Sequence, residues 1–153
     1  MILAMTKTDA DSTTAAIASV EAQFGMLFNR ARSSMRDRAA RVHPDLQIGS
    51  YMILSTLARR GPTHAGAIAE LLAMDKSIVS RQAKQLEEAG LLIRTQDPKD
   101  KRAMFFDISE DARERLGEVQ RKDQSALHEQ LGAWSVGDLN RLAELLARVN
   151  ETF

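Results

Sequence analysis

The chain has 153 residues, of which 44% are apolar and 27% charged, enough apolar material for one domain or a compact unit with an appendage. Its 21 Lys/Arg balance 21 Asp/Glu, so bulk charge does not mark a nucleic-acid binder, and any such reading must rest on local arrangement. The absence of cysteine excludes disulfides, thiol redox sensing and cysteine-based zinc sites, and His43, His64 and His128 lack metal-ligand spacing, so neither metal nor cofactor is expected.

The apolar run at residues 1–5 is too short for a signal-peptide core, and no stretch approaches the length of a membrane span, so a cytoplasmic protein without a membrane partner is expected. Residues 6–14 look like a frayed polar lead-in. From Ala15 to about Ala40, Ile17, Val20, Phe24, Leu27, Phe28, Ala31 and Met35 recur at steps of three and four, which predicts a helix. Pro44 ends it by disfavouring helix at the residue before it, and Arg30, Arg32, Arg36 and Arg38 are taken as a solvated face.

A second helix is predicted over 47–59, with Ile48, Tyr51, Met52, Leu54 and Leu57 as its apolar side and Gly61-Pro62 beyond its end. Thr63 is placed as the cap of a short third helix carrying Ala65, Ile68, Ala69 and Leu72. A tight connection at Ala73-Met74 leads to Asp75, a good N-cap for a fourth helix that ends where Gly90 can adopt a left-handed conformation. The period then changes from helical to alternating over 91–96 and again over 104–108, around the loop Asp97-Pro98-Lys99-Asp100-Lys101-Arg102, which predicts a β-hairpin with a charged tip. Ser109 caps a long helix to about Ala133, and Ser135, with Asp138 three residues on, starts a last one with Leu139, Leu142, Leu146 and Val149 in a stripe. Trp134 is expected to pack at the corner between these two helices.

Helix, tight turn, helix and basic hairpin is the order of a winged helix-turn-helix. The fourth helix turns Val79, Ala83 and Leu86 inward, which puts Lys76, Ser77, Ser80, Arg81, Lys84 and Gln85 together on its other side. Arg and Lys suit guanine edges and phosphates, and Ser and Gln can donate to and accept from base edges, so these six are the candidate major-groove contacts. Lys99, Lys101 and Arg102 at the hairpin tip are candidates for the minor groove, with Asp97 and Asp100 pairing with Arg102 or Arg94 to fix the loop. Between Arg59 and Arg102 there are nine Lys/Arg against six Asp/Glu, a local net of +3 that leaves −3 on the rest of the chain. His43, Tyr51 and Met52 lie near the meeting of the first two helices and are candidate walls of a ligand pocket, with core packing the competing reading for Tyr51 and Met52.

The stretches Ala67-Ile-Ala-Glu-Leu-Leu-Ala-Met-Asp-Lys-Ser-Ile-Val-Ser-Arg, Leu86-Glu-Glu-Ala-Gly-Leu-Leu-Ile-Arg and Asp97-Pro-Lys-Asp-Lys-Arg-Ala resemble the MarR family of bacterial regulators. The Asp-x-x-Asp-x-Arg of the wing is the most specific piece, and the order of helices extends the match over about residues 15–150. The fold class is then mainly α with a small β-hairpin wing: a winged helix-turn-helix at 45–109 plus a helical dimerisation region from 15–44 with 110–150. The resemblance implies a homodimer that binds double-stranded DNA at palindromic operators, usually as a repressor released by a small aromatic effector held between dimer helices and DNA-binding lobe. The branch that senses oxidants through cysteine is excluded here. No Gly-x-Ser-x-Gly, phosphate-binding Gly loop or dinucleotide fingerprint is present, so no enzyme is expected. The alternative function is a winged helix used for protein–protein contact without specific DNA binding.

Overall fold

A computed structural model describes residues 2–97 and 104–151. The elements run α1 (Ile2–Val42), α2 (Ile48–Arg60), β1 (Thr63–His64), α3 (Ala65–Leu72), α4 (Lys76–Glu88), β2 (Leu92–Gln96), β3 (Met104–Ile108), α5 (Glu110–Gly132) and α6 (Val136–Asn150). Mostly helical with a small antiparallel sheet, this is the expected class.

α1 starts some thirteen residues earlier than the apolar periodicity does, at Ile2 and not near Ala15. No proline precedes Pro44 and no glycine precedes Gly25, and the intervening Asp, Ser and Thr cost only tenths of a kcal/mol each in a helix, so nothing in the polar lead-in stops it. At about 1.5 Å per residue, its 41 residues make a rod about 60 Å long.

α2 is the central helix. Ile53, Leu54 and Leu57 are fully buried, and Ser50, Tyr51 and Thr56 nearly so, while Ile48 and Met52, expected on the apolar side, are only half-buried. The buried Thr56 hydroxyl is satisfied by donating to the Met52 carbonyl at 2.8 Å. Around α2 pack Ile68 of α3, Val79, Ala83 and Leu86 of α4, Leu92, Phe106 and Ile108 of the sheet, Ala39 and Val42 of α1, and Ala112, Leu116 and Val119 of α5. Each fully buried Leu or Ile contributes about 1.5–3 kcal/mol. One core thus draws on the winged helix and on the adjoining ends of α1 and α5.

The sheet has the order β1-β3-β2, with β2 and β3 as the hairpin and Thr63 and His64 opposite Phe106 and Phe105. β1 is a departure from the sequence reading. Thr63 does not cap α3; its hydroxyl donates to the Gly61 carbonyl at 2.9 Å, and His64 takes the N-cap position without a side-chain hydrogen bond. The edge of β3 offers the backbone of these two residues a ladder, which competes with the cap.

α3 closes with Ala73 in the left-handed region (φ 50°), where Met74 N–H donates to the Ala69 carbonyl and Ala73 N–H to that of Glu70. α4 closes in the same way at Gly90 (φ 70°), with Leu91 N–H donating to the Leu86 carbonyl and Gly90 N–H to that of Glu87. Both turns satisfy helix-end carbonyls and reverse the chain sharply, the first into α4 and the second into β2. Ser109 and Ser135 cap α5 and α6 as expected, accepting from Ala112 and Asp138 N–H.

Along α1 and α5 the seam is charged. Asp123 takes Arg38 at 2.5 Å and Arg41 at 2.7 Å. Beyond this seam the packing stops: among the described residues α1 buries nothing before Ala39, α5 nothing after Val119, and α6 nothing at all.

Candidate nucleic-acid interface

α4 stands on the surface with a sharp division of faces. Val79, Ala83 and Leu86 are buried, and Lys76, Ser77, Ser80, Arg81, Lys84 and Gln85 are all exposed. The start of the helix is fixed by Asp75, whose carboxylate accepts from Ser77 N–H at 3.1 Å and from the Ser77 hydroxyl at 3.0 Å. These two bonds hold the Asp75 carboxyl below its usual range, so it stays ionised as a cap at neutral pH. Lys84 lies 3.8 Å from Glu88, a loose surface pair that leaves its ammonium accessible, and Arg81 has no ion pair among the described residues.

Gln82 of α4 meets Gly49 in the first turn of α2. A Cβ there would stand 2.7 Å from Gln82 Nε2 and 2.9 Å from Gln82 Oε1, so the missing side chain is what lets the Gln82 amide lie against α2. Gln82 escaped the sequence reading because it belongs to neither the apolar stripe nor the outward face; the glycine in the first turn of α2 was its one signal.

The wing is anchored from inside. Arg94 of β2 lies over the Phe106 ring, 5.0 Å from its centroid, with Nε 2.9 Å from Glu87 of α4. Arg94 was expected to be one partner for Asp97 or Asp100. Its pairing with α4 arises because it shares the inward face of β2 with Leu92, whereas Asp97 lies 3.3 Å from His64 Nε2. The His64 ring also stacks on Phe105, centroids 3.9 Å apart, with Nδ1 3.2 Å from the Met104 carbonyl. The tip candidates Lys99, Lys101 and Arg102, and with them Asp100, lie outside the described residues.

The three candidate ligand residues separate. Tyr51 is part of the core cluster, and Met52 is half-buried beside it. His43 alone of the three lines a cavity of about 380 Å³, together with Asp45, Gln47, Ser50, Gln85 and Glu88, and its Nδ1 accepts from Asp45 N–H at 3.3 Å. A larger and more apolar groove of about 760 Å³ runs between α1 and α6, walled by Val20, Phe24, Leu27, Leu142 and Leu146. Trp134 lines this groove and is 50% exposed, so it does not bury itself at the α5–α6 corner.

A short helix, a sharp left-handed turn and a second helix with an exposed cationic face, standing beside a three-stranded wing sheet, define a winged helix-turn-helix protein. Residues 46–104 match the MarR family model. The chain is 32% identical over 122 residues to the uncharacterized HTH-type transcriptional regulator YxaD of Bacillus subtilis (strain 168), which spans 80% of this chain and 85% of that protein. The chain belongs to the MarR family of transcriptional regulators. Its fold is shared by a MarR family transcription regulator at a TM-score of 0.79 and 18% identity, covering 94% of this chain and 93% of that one. It is shared also by Streptococcus pneumoniae FabT, solved in complex with DNA, at a TM-score of 0.77 and 12% identity, covering 87% and 94% of the two chains. Among the described residues, no helix is long and apolar enough to cross a membrane.

Proposed function

We propose that this protein regulates transcription in the cytoplasm as a homodimer that binds a palindromic operator, as a repressor. The observation that carries the reading is the outward face of α4, where six polar or cationic side chains are exposed on a helix whose opposite face is locked into the core. Lys76, Ser77, Ser80, Arg81, Lys84 and Gln85 read and clamp the major groove, with Lys99, Lys101 and Arg102 of the wing reaching the minor groove beside it. That a fold neighbour was solved on DNA supports the same docking.

In the division of labour we infer, residues 45–109 contact DNA, and 15–44 with 110–150 pair two copies. The apolar groove between α1 and α6 supports pairing, because exposed apolar surface of this extent is unusual on a monomer. Two-fold pairing sets two α4 helices about 34 Å apart, one turn of DNA. For release, a small aromatic effector at the His43 cavity would touch α4 directly through Gln85, Leu86 and Glu88, so its differential affinity for the two dimer states would be felt by the recognition helix.

Binding-site selection from random duplexes with the purified protein tests the reading. Recovery of a palindrome whose half-sites lie one helical turn apart, with affinity that falls steeply as salt rises, is the expected result. Recovery of no enriched sequence would sink it and favour a protein–protein module.

A further inference from the structure

We propose that the cavity at His43 takes a cationic ligand, an ammonium on a small apolar body, held by Asp45 and Glu88. The inference rests on the effector reading above and deepens it by assigning the charge of the molecule. The cavity, of about 380 Å³, is the size of a small-molecule site. It lies where the loop between α1 and α2 meets the first turn of α2 and the last turn of α4. Leu46, Leu86 and Leu91 give it apolar surface, and the last two are almost fully buried. Its full charges are the carboxylates of Asp45 and Glu88, and no Lys or Arg stands among the described residues that line it. Glu88 is paired with Lys84 at 3.8 Å with both side chains mostly exposed, a weak surface contact that a better-placed cation can replace.

Ser50 is what makes these two carboxylates part of a site. Ser50 and Thr56 are the buried polar residues of α2, 5% and 3% exposed. The Thr56 hydroxyl donates to the Met52 carbonyl at 2.8 Å. The Ser50 hydroxyl has no hydrogen-bond partner among the described residues, and Ser50 lines the cavity. A buried polar group calls for a partner, and a hydroxyl oxygen can accept from an ammonium. The amide oxygens of Gln47 and Gln85, also in the lining, can accept its other protons.

Against this, α2 starts at the cavity with no side-chain hydrogen bond from its N-cap Gln47, which puts about half a positive charge at its first turn. Two full negative charges, with no Lys or Arg in the lining to offset them, outweigh it. Asp45 belongs to the α1–α2 loop and Glu88 to the last turn of α4, so one ammonium bound to both ties the recognition helix to that loop. Ligand affinity then depends on where α4 sits.

Calorimetry on the full chain, free of DNA, compares three probes of similar shape: phenethylamine, phenethyl alcohol and phenylacetate. The amine should bind about tenfold more tightly than the alcohol or better, and phenylacetate more weakly than either. Asp45→Asn and Glu88→Gln should each reduce the advantage of the amine over the alcohol by about fivefold. Ser50→Ala should weaken the amine severalfold, and thermal melts verify that each variant is folded. A pocket acting by shape alone would bind the amine and the alcohol equally. Phenylacetate binding as tight as the amine's, no saturable amine binding by about 10 mM, or an amine preference that survives Asp45→Asn combined with Glu88→Gln, overturns the proposal. An operator duplex recovered by selection tests release separately: it should weaken amine binding by the factor by which the amine weakens operator binding. Failure to bind any DNA would overturn the function instead, and the charge preference of the free protein would still decide the ligand.

Discussion

In α2, Ile53, Leu54 and Leu57 are shut away from solvent, while in α6, Leu145 and Leu146 are 45% and 41% exposed. Both helices carry apolar stripes, and only the first finds a partner within one chain. α2 is surrounded by α3, α4, the sheet and the adjoining ends of α1 and α5. α6 faces the exposed half of α1 across a groove that neither fills. The contrast teaches that an apolar stripe specifies burial but not the chain that supplies it. Where the winged helix has closed its own core, the flanking helices leave apolar surface open.

The strongest way to break this contrast is a charge in the groove. Leu146→Glu should leave the winged-helix core intact and dissociate the proposed homodimer, since a carboxylate cannot be buried against Val20 and Phe24 without a partner. Sedimentation should show monomer, and loss of two-site engagement should reduce operator affinity by about a hundredfold or more. A variant that sediments as a dimer would remove this groove from the proposed pairing surface.

Leu57→Ala probes the other side of the comparison. It removes a fully buried side chain from the middle of the core and should cost about 2–5 kcal/mol in unfolding experiments. If the cost is below about 1 kcal/mol, the two regions are not as different as their burial implies.

Arg81→Ala touches neither core nor groove. Stability and oligomeric state should hold, while operator affinity drops by roughly 1–3 kcal/mol and preference relaxes at one or two base positions. Equal affinity of wild type and variant for operator and random DNA would remove Arg81 from the recognition face.

The smallest effect sits at the seam that joins the two regions. Burial pushes the Asp123 carboxyl up, but the Arg41 hydrogen bond and the charges of Arg38 and Arg41 outweigh it and hold it below its ordinary 3.8. A carboxyl depressed in the folded state adds stability above its unfolded pKa and loses it as pH falls through the folded value. Asp123→Asn should therefore cost about 1 kcal/mol or less at neutral pH, since the arginines are partly solvated. Its melting temperature should converge with that of wild type below about pH 4. A gap that persists in acid would mean that Asp123 acts through packing and not through its charge.

Much of this molecule was legible in local chemistry. The cap at Asp75, the left-handed residue at Gly90, the alternation on either side of residues 97–102 and the two faces of α4 are decided within one or two turns of chain, so the sequence shows them directly. β1 was not legible because two residues cannot announce a strand; Thr63 and His64 are extended because the edge of β3 lies beside them. The partner of Arg94 was missed for a related reason: Glu87 is near in space only after Gly90 has folded β2 back along α4. The early start of α1 was missed in the opposite direction, where polar composition suggested fraying and the absence of any breaker prevailed.

Apart from β1 and the first turns of α1, the sequence by itself determined which segments are helix or strand, where most of them begin and end, and which side of α4 is left exposed, because these follow from periodicity and capping at short range. The tertiary structure alone decided what meets across the chain. It placed Tyr51 in the core and His43 at a cavity, set Gln82 against Gly49, and brought His64 between Asp97 and the Met104 carbonyl. Such meetings join residues far apart in the chain, 40 positions for His64 and Met104, and their distances are fixed by how whole elements pack, which no local pattern encodes.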